Sequence, residues 1–483
     1  MDDAPSLRQR LLRTRSVEEI MSCCAGEHAL KKVIGPIELI FFGIGAIIGT
    51  GIFVITGVAA ADFAGPGLVF SFMIAGTACL FAALCYAEFA TMVPLAGSAY
   101  TYSYASLGEI WAWIIGWDLI LEYSVSIAVV AVGWSGYMNS FLTEIGVVLP
   151  PALVNPPGIE GGVINLPAIL IIALITLLLI SGVKGSARVN TAIVVAKISV
   201  VLFFIALGVF YIDPANWNPF LPFGWSGVLA GAAIVFFAYI GFDAVSTAAE
   251  EVRNPGRDLP IGIIVSLIIC TILYIVVAAI LTGIVPYSLL AGTSAPVAFA
   301  LEYVGVPWGA EIISVGAVLG ITSVMLVLLY GQSRIFFAMA RDGLLPRSFA
   351  KVHPTLRTPV RASLLVGAVT ALLASLLPLE SMAELVNIGT LAAFVIVSVG
   401  IIVLRRTRPE LPRPFRCPLV PLVPALAIGF CLALILALPT VTHLRFVVWL
   451  AIGLVIYALY GYRHAHYRNP GSAGDDRAVQ ENE

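Results

Sequence analysis

The sequence predicts an all-α membrane protein with twelve transmembrane helices, and three observations predict it. The first is composition: 60% of the 483 residues are hydrophobic and 11% are charged. The mean hydropathy of +1.01 lies far from that of a soluble domain. The second is segmentation. A bilayer core needs ~20 apolar residues per helix, and segments of that kind run over 36–60, 67–92, 107–138, 165–182, 190–212, 227–250, 260–285, 309–338, 361–378, 384–404, 419–438 and 445–462. The third is the placement of basic residues. With the N-terminus cytoplasmic, all of the 26 Lys and Arg fall on the inner side except Arg445, outside, and Lys197, within a span. The positive-inside rule demands this bias, and an odd number of segments would scramble it.

The inventory also excludes classes. The seven Cys lie on the inner side or within segments, so no external disulfide is expected, and Cys23-Cys24 lacks metal-ligand spacing. None of the five His falls in the middle of a segment, which removes an intramembrane His relay. HExxH and GxSxG are absent, so the chain is not expected to be an enzyme, and no cofactor or nucleic-acid partner is expected either. A ring of repeated charges or a filter motif, as in a channel, is missing too. The N-terminus shows no apolar stretch with a cleavage site, so no removable signal peptide is expected.

In chain order, residues 1–34 are a polar, basic cytoplasmic lead-in ending at Lys31 and Lys32. Segment 1 contains GIGAIIGTGIF, 43–53, where Gly43, Gly45, Gly49, Thr50 and Gly51 crowd mid-span. Each glycine costs a helix interior ~1 kcal/mol relative to alanine. Either the helix breaks here, or small residues allow a neighbouring helix to approach closely. Segment 2 carries Glu88 towards its inner end, and the aromatic run 94–104 reads as an interfacial turn or short helix. Segment 3 carries Asp118 and Glu122, whose i,i+4 spacing puts them on one face. The proline-rich outer loop 139–164 is irregular. Segment 5 contains Lys197. Segment 6 reads AAIVFFAYIGFDAVSTAAEE, with Gly241 and Asp243 where a plain span would have leucine. The connection 286–308 folds over the outer mouth, segment 8 ends in RDGLLP, segments 11 and 12 are plainer, and 463–483 is a polar, disordered cytoplasmic tail.

The two irregular segments, 1 and 6, are five apart. That is the mark of an inverted repeat of segments 1–5 and 6–10, with a site where two broken helices meet. It divides the chain into a cytoplasmic segment 1–34, a transport core 35–404, two further spans in 405–462 and the tail 463–483. Unwound backbone at membrane depth persists only where it is buried in protein or lines a cavity. The second half-helix of segment 1 starts near Thr50 and Gly51, and its N–H groups and positive dipole end suit a carboxylate, with the Thr50 hydroxyl adding a bond. The carbonyls freed near Ile47, Phe237 and Ile240 suit an ammonium. Together these seats describe the α-carboxylate and α-amine of an amino acid, with Phe237 as a cover.

Lys197 is the most informative single residue. A charged side chain at mid-span costs ~2.5–3.5 kcal/mol on insertion scales, so it marks function by default. The plainer readings are an ion pair with Glu122 or a side chain that snorkels to the interface. The functional reading has its ammonium bridge the first break to segment 8, near Thr322 and Ser323, and exchange a proton. Glu122 is then the partner of Lys197, a pocket residue or a second proton carrier. Asp243 either caps the amides freed by the second break or recognises a cationic solute. Glu88 and Asp118 are expected near water.

GIGAIIGTGIF, FFAYIGFDAVSTAAEEVRNPGRDLP, Lys197 in segment 5 and YGQSRIFFAMARDGLLP together resemble the amino acid–polyamine–organocation superfamily, and within it the cationic amino acid transporter branch and its bacterial relatives. The resemblance covers roughly 30–465. It implies the LeuT-type 5+5 inverted-repeat fold with helices 1 and 6 broken, and alternating access to a central site. It further implies an L-amino acid substrate, bound at Ile47, Thr50, Gly51, Phe237, Ala238, Ile240 and Asp243. Lys197 stands as the proton-responsive group where related architectures hold sodium, which makes the proton and the surrounding membrane lipid the other partners. Animal members of the branch often have fourteen segments; twelve favours a prokaryotic plasma-membrane protein and leaves cationic specificity open. Exchange of amino acids or polyamines without net proton movement uses the same site. A membrane sensor of amino acids is the alternative from another class.

Overall fold

The computed structural model describes residues 34–93, 98–159, 161–181, 187–353, 356 and 358–465; the expectations for 1–33 and for the tail beyond 465 lie outside them. Among the described residues the regular structure is helical, apart from one isolated bridge between Ile34 and Val252. In order come α1 (Pro36–Ile47), α2 (Thr56–Ala59), α3 (Leu68–Met92), α4 (Ser98–Ser106), α5 (Glu109–Glu144), α6 (Pro151–Val154), α7 (Leu166–Ile180), α8 (Ala187–Gly208) and α9 (Gly224–Val235). They are followed by α10 (Ala244–Thr247), α11 (Pro255–Ile284), α12 (Pro296–Tyr303), α13 (Pro307–Arg341), α14 (Val360–Leu376), α15 (Leu379–Thr407), α16 (Leu422–Ala437), α17 (Thr440–Ile456) and α18 (Tyr462–His464).

Eight helical stretches are long and apolar enough to cross a membrane, and α1, α7, α14 and α16 are shorter apolar helices. Each predicted segment therefore has its helix, but not always at spanning length. At 1.5 Å per residue, the 15, 16 and 17 residues of α7, α16 and α14 reach only about 23–26 Å. By contrast α5 overruns its predicted end at 138 and continues to Glu144.

The packing places the two irregular segments at the centre. Helix α5 lies along α13 and α15, while α11 lies along α3 and α1. Helix α8 joins the two groups by touching both α13 and α1. Missing side chains allow this. A Cβ added to Gly133 of α5 would stand 2.4 Å from Thr50 Cγ2, and one added to Gly320 of α13 would stand 2.9 Å from Lys197 Cγ. The connection before α13 packs Pro296 against Gly57 and Ser294 against Gly136. Helix α17 is clamped to α5 by reciprocal indole bonds. Trp117 Nε1 donates to the Trp449 carbonyl at 2.9 Å and Trp449 Nε1 to that of Trp117 at 3.2 Å.

Glu88 corrects the expectation of a watery setting: it is fully buried. Arg405 Nη2 and Nε reach its carboxylate at 2.6 and 3.0 Å, the Cys417 amide at 2.7 Å, and Arg413 Nε at 3.3 Å. A buried carboxylate is tolerated where it is paired and hydrogen-bonded in this way. The arrangement ties α3 to α15 and to the connection that follows.

Candidate functional site

The first break is short. Helix α1 makes its last bond from the Ile48 amide to the Ile44 carbonyl at 2.9 Å, and Ile48 then turns extended, at φ −73° and ψ 106°. The chain resumes as a wide five-residue turn, Gly51–Ile55, before α2, and a second such turn, Ala60–Ala64, follows it. Wide turns of this kind recur at functional sites. Lys197 answers the break. Its Nζ donates to the carbonyls of Gly45 at 2.8 Å and Ile48 at 3.1 Å, and the side chain is 1% exposed. An ammonium at the carbonyl end of α1 also meets the negative end of that helix's dipole.

Lys197 thus neither snorkels nor pairs with Glu122. The expected bridge to Thr322 and Ser323 is not made either. Thr322 Oγ1 donates to the Val318 carbonyl at 2.7 Å and accepts from Trp134 Nε1 at 2.9 Å, while Ser323 Oγ donates to the Gly320 carbonyl at 3.0 Å. Hydroxyls on a helix satisfy themselves on the preceding turn. What α13 supplies to Lys197 is the bare surface of Gly320 along its aliphatic stem.

At the second break α9 tightens into a 3-10 turn over Phe236–Tyr239, Ile240 turns extended at ψ 134°, and Gly241 takes φ +114°. That φ, together with the Ala46 carbonyl oxygen only 2.8 Å from where a Cβ would sit, admits glycine alone. The two breaks touch directly: a Cβ on Gly51 would lie 2.3 Å from Ala238 Cα. Asp243 is buried at the start of α10, with the Tyr123 hydroxyl and the amides of Gly241 and Ala244 as the polar groups around its carboxylate.

Between the breaks is a cavity of about 20 Å³, room for about one water. A larger solute can enter only if its walls part. The wall is formed by Ala46, Ile47, Gly49, Thr50 and Gly51 from the first break and by Phe237 and Ile240 from the second. Ser126 and Val130 of α5 and Val324 and Leu328 of α13 complete it. Of the residues expected to bind solute, Ile47, Thr50, Gly51, Phe237 and Ile240 come together here. Ala238 stands behind the wall, against Gly51.

Asp243 and Glu122 lie outside it. Asp243 stands at the start of α10 but makes no side-chain cap there. Glu122 is one helical turn from Ser126 and neighbours Thr390, Asp243 and Asp118. Asp118 corrects a second expectation of exposure: it is buried against Gly389, and its Oδ1 has no hydrogen-bond partner. Sequence reasoning missed Ser126, Val130, Val324 and Leu328. The i,i+4 step from Glu122 to Ser126 carried a signal for the α5 face. The α13 face carried none.

Two interrupted helices whose broken ends meet at a buried centre define a membrane transporter built around a small-solute site. The chain belongs to the amino acid permease family, whose profile matches residues 34–462. It is 56% identical to the branched-chain amino acid permease BcaP of Bacillus subtilis (strain 168), over 95% of this chain and 99% of that protein. It is 51% identical to the methylthioribose transporter of the same organism, over 92% and 97% of the two chains. With human cationic amino acid transporter 4 it shares 38% identity over 83% of this chain and 63% of that one.

Proposed function

We propose that the protein carries L-amino acids across the plasma membrane by alternating access, driven by protons and independent of sodium. In this reading the chain crosses the membrane twelve times with both termini cytoplasmic. Residues 35–404 form a 5+5 inverted-repeat core, and two further spans lie within 405–462. The amides that open the second half of segment 1, at Thr50 and Gly51, take the α-carboxylate. Carbonyls at the second break take the ammonium, and Phe237 covers the solute.

The observation that carries the coupling is the seat of Lys197 Nζ on the Gly45 and Ile48 carbonyls. A protonated Lys197 supplies the donors that this part of the break lacks and holds α8 to α1. A neutral one cannot satisfy both carbonyls with the strength of a charged donor. Loss of the proton therefore loosens α8 from the break, which favours the opposite opening. Glu122, one turn from the cavity, is the second candidate to carry a proton.

The wall favours an apolar side chain. Val130, Ile240, Val324 and Leu328 present hydrocarbon, and no acidic side chain lines the cavity. A cationic amino acid or a polyamine would need a carboxylate there. The similarity to a branched-chain permease points the same way. The test is uptake by proteoliposomes across a panel of amino acids under an imposed pH gradient with no sodium present. Leucine, isoleucine and valine are expected to accumulate, and lysine and putrescine are not. Counterflow that is equally fast with and without the gradient would establish exchange instead.

A further inference from the structure

Tyr274 of α11 touches both broken helices. It is fully buried, and its ring packs between Phe72 of α3 and Tyr239 of the 3-10 turn, with centroids 5.5 and 5.4 Å away. Its hydroxyl oxygen stands 2.9 Å from the Ile47 carbonyl oxygen and 2.9 Å from that of Ala238. A phenol has one proton to donate, so two carbonyls from two different breaks share one donor. Neither has its ordinary helical partner, and an unmatched carbonyl is costly at membrane depth.

The geometry differs from that of the neighbouring tyrosine. Tyr239 belongs to the same aromatic group, yet its hydroxyl donates to the Phe72 carbonyl of α3, at 2.8 Å. A buried phenol is thus satisfied there by a carbonyl of an unbroken helix, with its hydroxyl bonded to neither break. Tyr274 instead fixes the direction of two peptide groups. Each carbonyl oxygen keeps a second lone pair. Ile47 lines the cavity, so the phenol holds a peptide of its wall on one side and the Ala238 peptide on the other. Gly51, against Ala238 Cα, keeps that peptide within reach of the first break.

We propose that Tyr274 is a positioning residue for the ammonium seat. By sharing its proton between Ile47 and Ala238 it orients the carbonyls that select an amino acid over the same acid without its amine. The proposal rests on the amino acid reading above, and it makes Tyr274 a determinant of selectivity, with no contact to the solute's carboxylate or side chain.

The experiment is competition binding to the purified full chain, with leucine and with 4-methylpentanoate, which has the leucine skeleton but no amine. The quantity read is the ratio of the two affinities. Tyr274→Phe keeps the ring and removes only the donor. It is expected to lower the ratio about tenfold, by weakening leucine and sparing 4-methylpentanoate. Tyr239→Phe is expected to leave the ratio unchanged. A Tyr274→Phe protein that loses both ligands by the same factor, or keeps the wild-type ratio, overturns the proposal. Should Tyr274→Phe not fold, 3-fluorotyrosine placed at 274 keeps the shape and strengthens the donor. The ratio is then expected to move, and no movement overturns the proposal. A wild-type protein that binds leucine while these variants behave as wild type rejects this inference alone. One that binds no amino acid rejects the transport reading with it.

Discussion

At the first break, the carbonyls of Gly45 and Ile48 are satisfied by a side chain from another helix, Lys197 of α8. At the second, the Phe237 carbonyl accepts from the Ile240 amide three residues on, at 3.2 Å, and the Gly241 carbonyl accepts from the Ala244 amide at 3.1 Å. Both breaks borrow donors from other helices, the second from Tyr274 and, just before it, from Asn387 of α15, but only the first borrows a lysine. In the proposed mechanism a donor that gives up its proton lets two helices separate, whereas the neutral phenol and amide donors at the second break keep theirs. Under the proposed proton coupling, the switching role falls to the first break and a framing role to the second. Tyr274, bonded to a carbonyl from each, holds the two in register.

The sharpest way to break this comparison is Lys197→Met, which retains much of the volume and removes the charge. The Gly45 and Ile48 carbonyls then lose their charged donor, a loss of ~1.5–3 kcal/mol for each such bond. Gradient-driven accumulation without sodium is expected to vanish in proteoliposomes, while leucine binding stays within a few-fold of wild type. If the variant still accumulates leucine in response to the gradient, the proton travels by another group, and Glu122 is next to be replaced.

The framing role makes a different demand. At Gly241, alanine would be strained at φ +114° and would drive its Cβ to 2.8 Å from the Ala46 carbonyl oxygen. Backbone strain of this kind costs ~1–3 kcal/mol, and the contact adds to it. Gly241→Ala is expected to lower the thermal midpoint of the purified protein by several degrees and to slow uptake at every pH alike. A change confined to the pH dependence, with the midpoint intact, would move the switch to the second break.

Much of this was legible in the sequence, because a broken membrane helix announces itself through residues a spanning helix avoids. Gly49, Gly51 and Gly241 marked both breaks, and the isolated Lys197 marked the borrowed donor. What stayed hidden depended on rotation about helix axes. The polar residues of α13, Ser314, Thr322, Ser323 and Gln332 among them, did not tell which of its faces meets the first break, so Val324 and Leu328 gave no sign that they face the cavity. Tyr274 looked like any tyrosine in a span. Glu88 and Asp118 were misplaced for another reason: a carboxylate reads as exposed until its partners are known. The partners of Glu88, Arg405 and Arg413, are more than three hundred residues away in the chain.

The finest discrimination lies within the first break itself, between its carbonyl end and its amide end. Thr50 belongs to the amide end and lines the cavity. Its hydroxyl points to the Val130 carbonyl at 3.5 Å, the outer limit of a hydrogen bond, and its methyl group packs on Gly133. Valine preserves that packing, so Thr50→Val should fold as wild type does. The hydroxyl is only weakly committed to Val130 and is free to turn towards a carboxylate. The net contribution of such an exchange is roughly 0.5–1.5 kcal/mol, which corresponds to a few-fold weaker binding of leucine in a calorimetric titration. Isoamylamine, which is leucine without its carboxylate, is expected to bind far more weakly than leucine and to be indifferent to the substitution. Equal affinity of the wild-type protein for the amino acid and the amine would show that the amide end of the break holds no carboxylate, and the division of the first break into an ammonium-answered end and a carboxylate-binding end would fall.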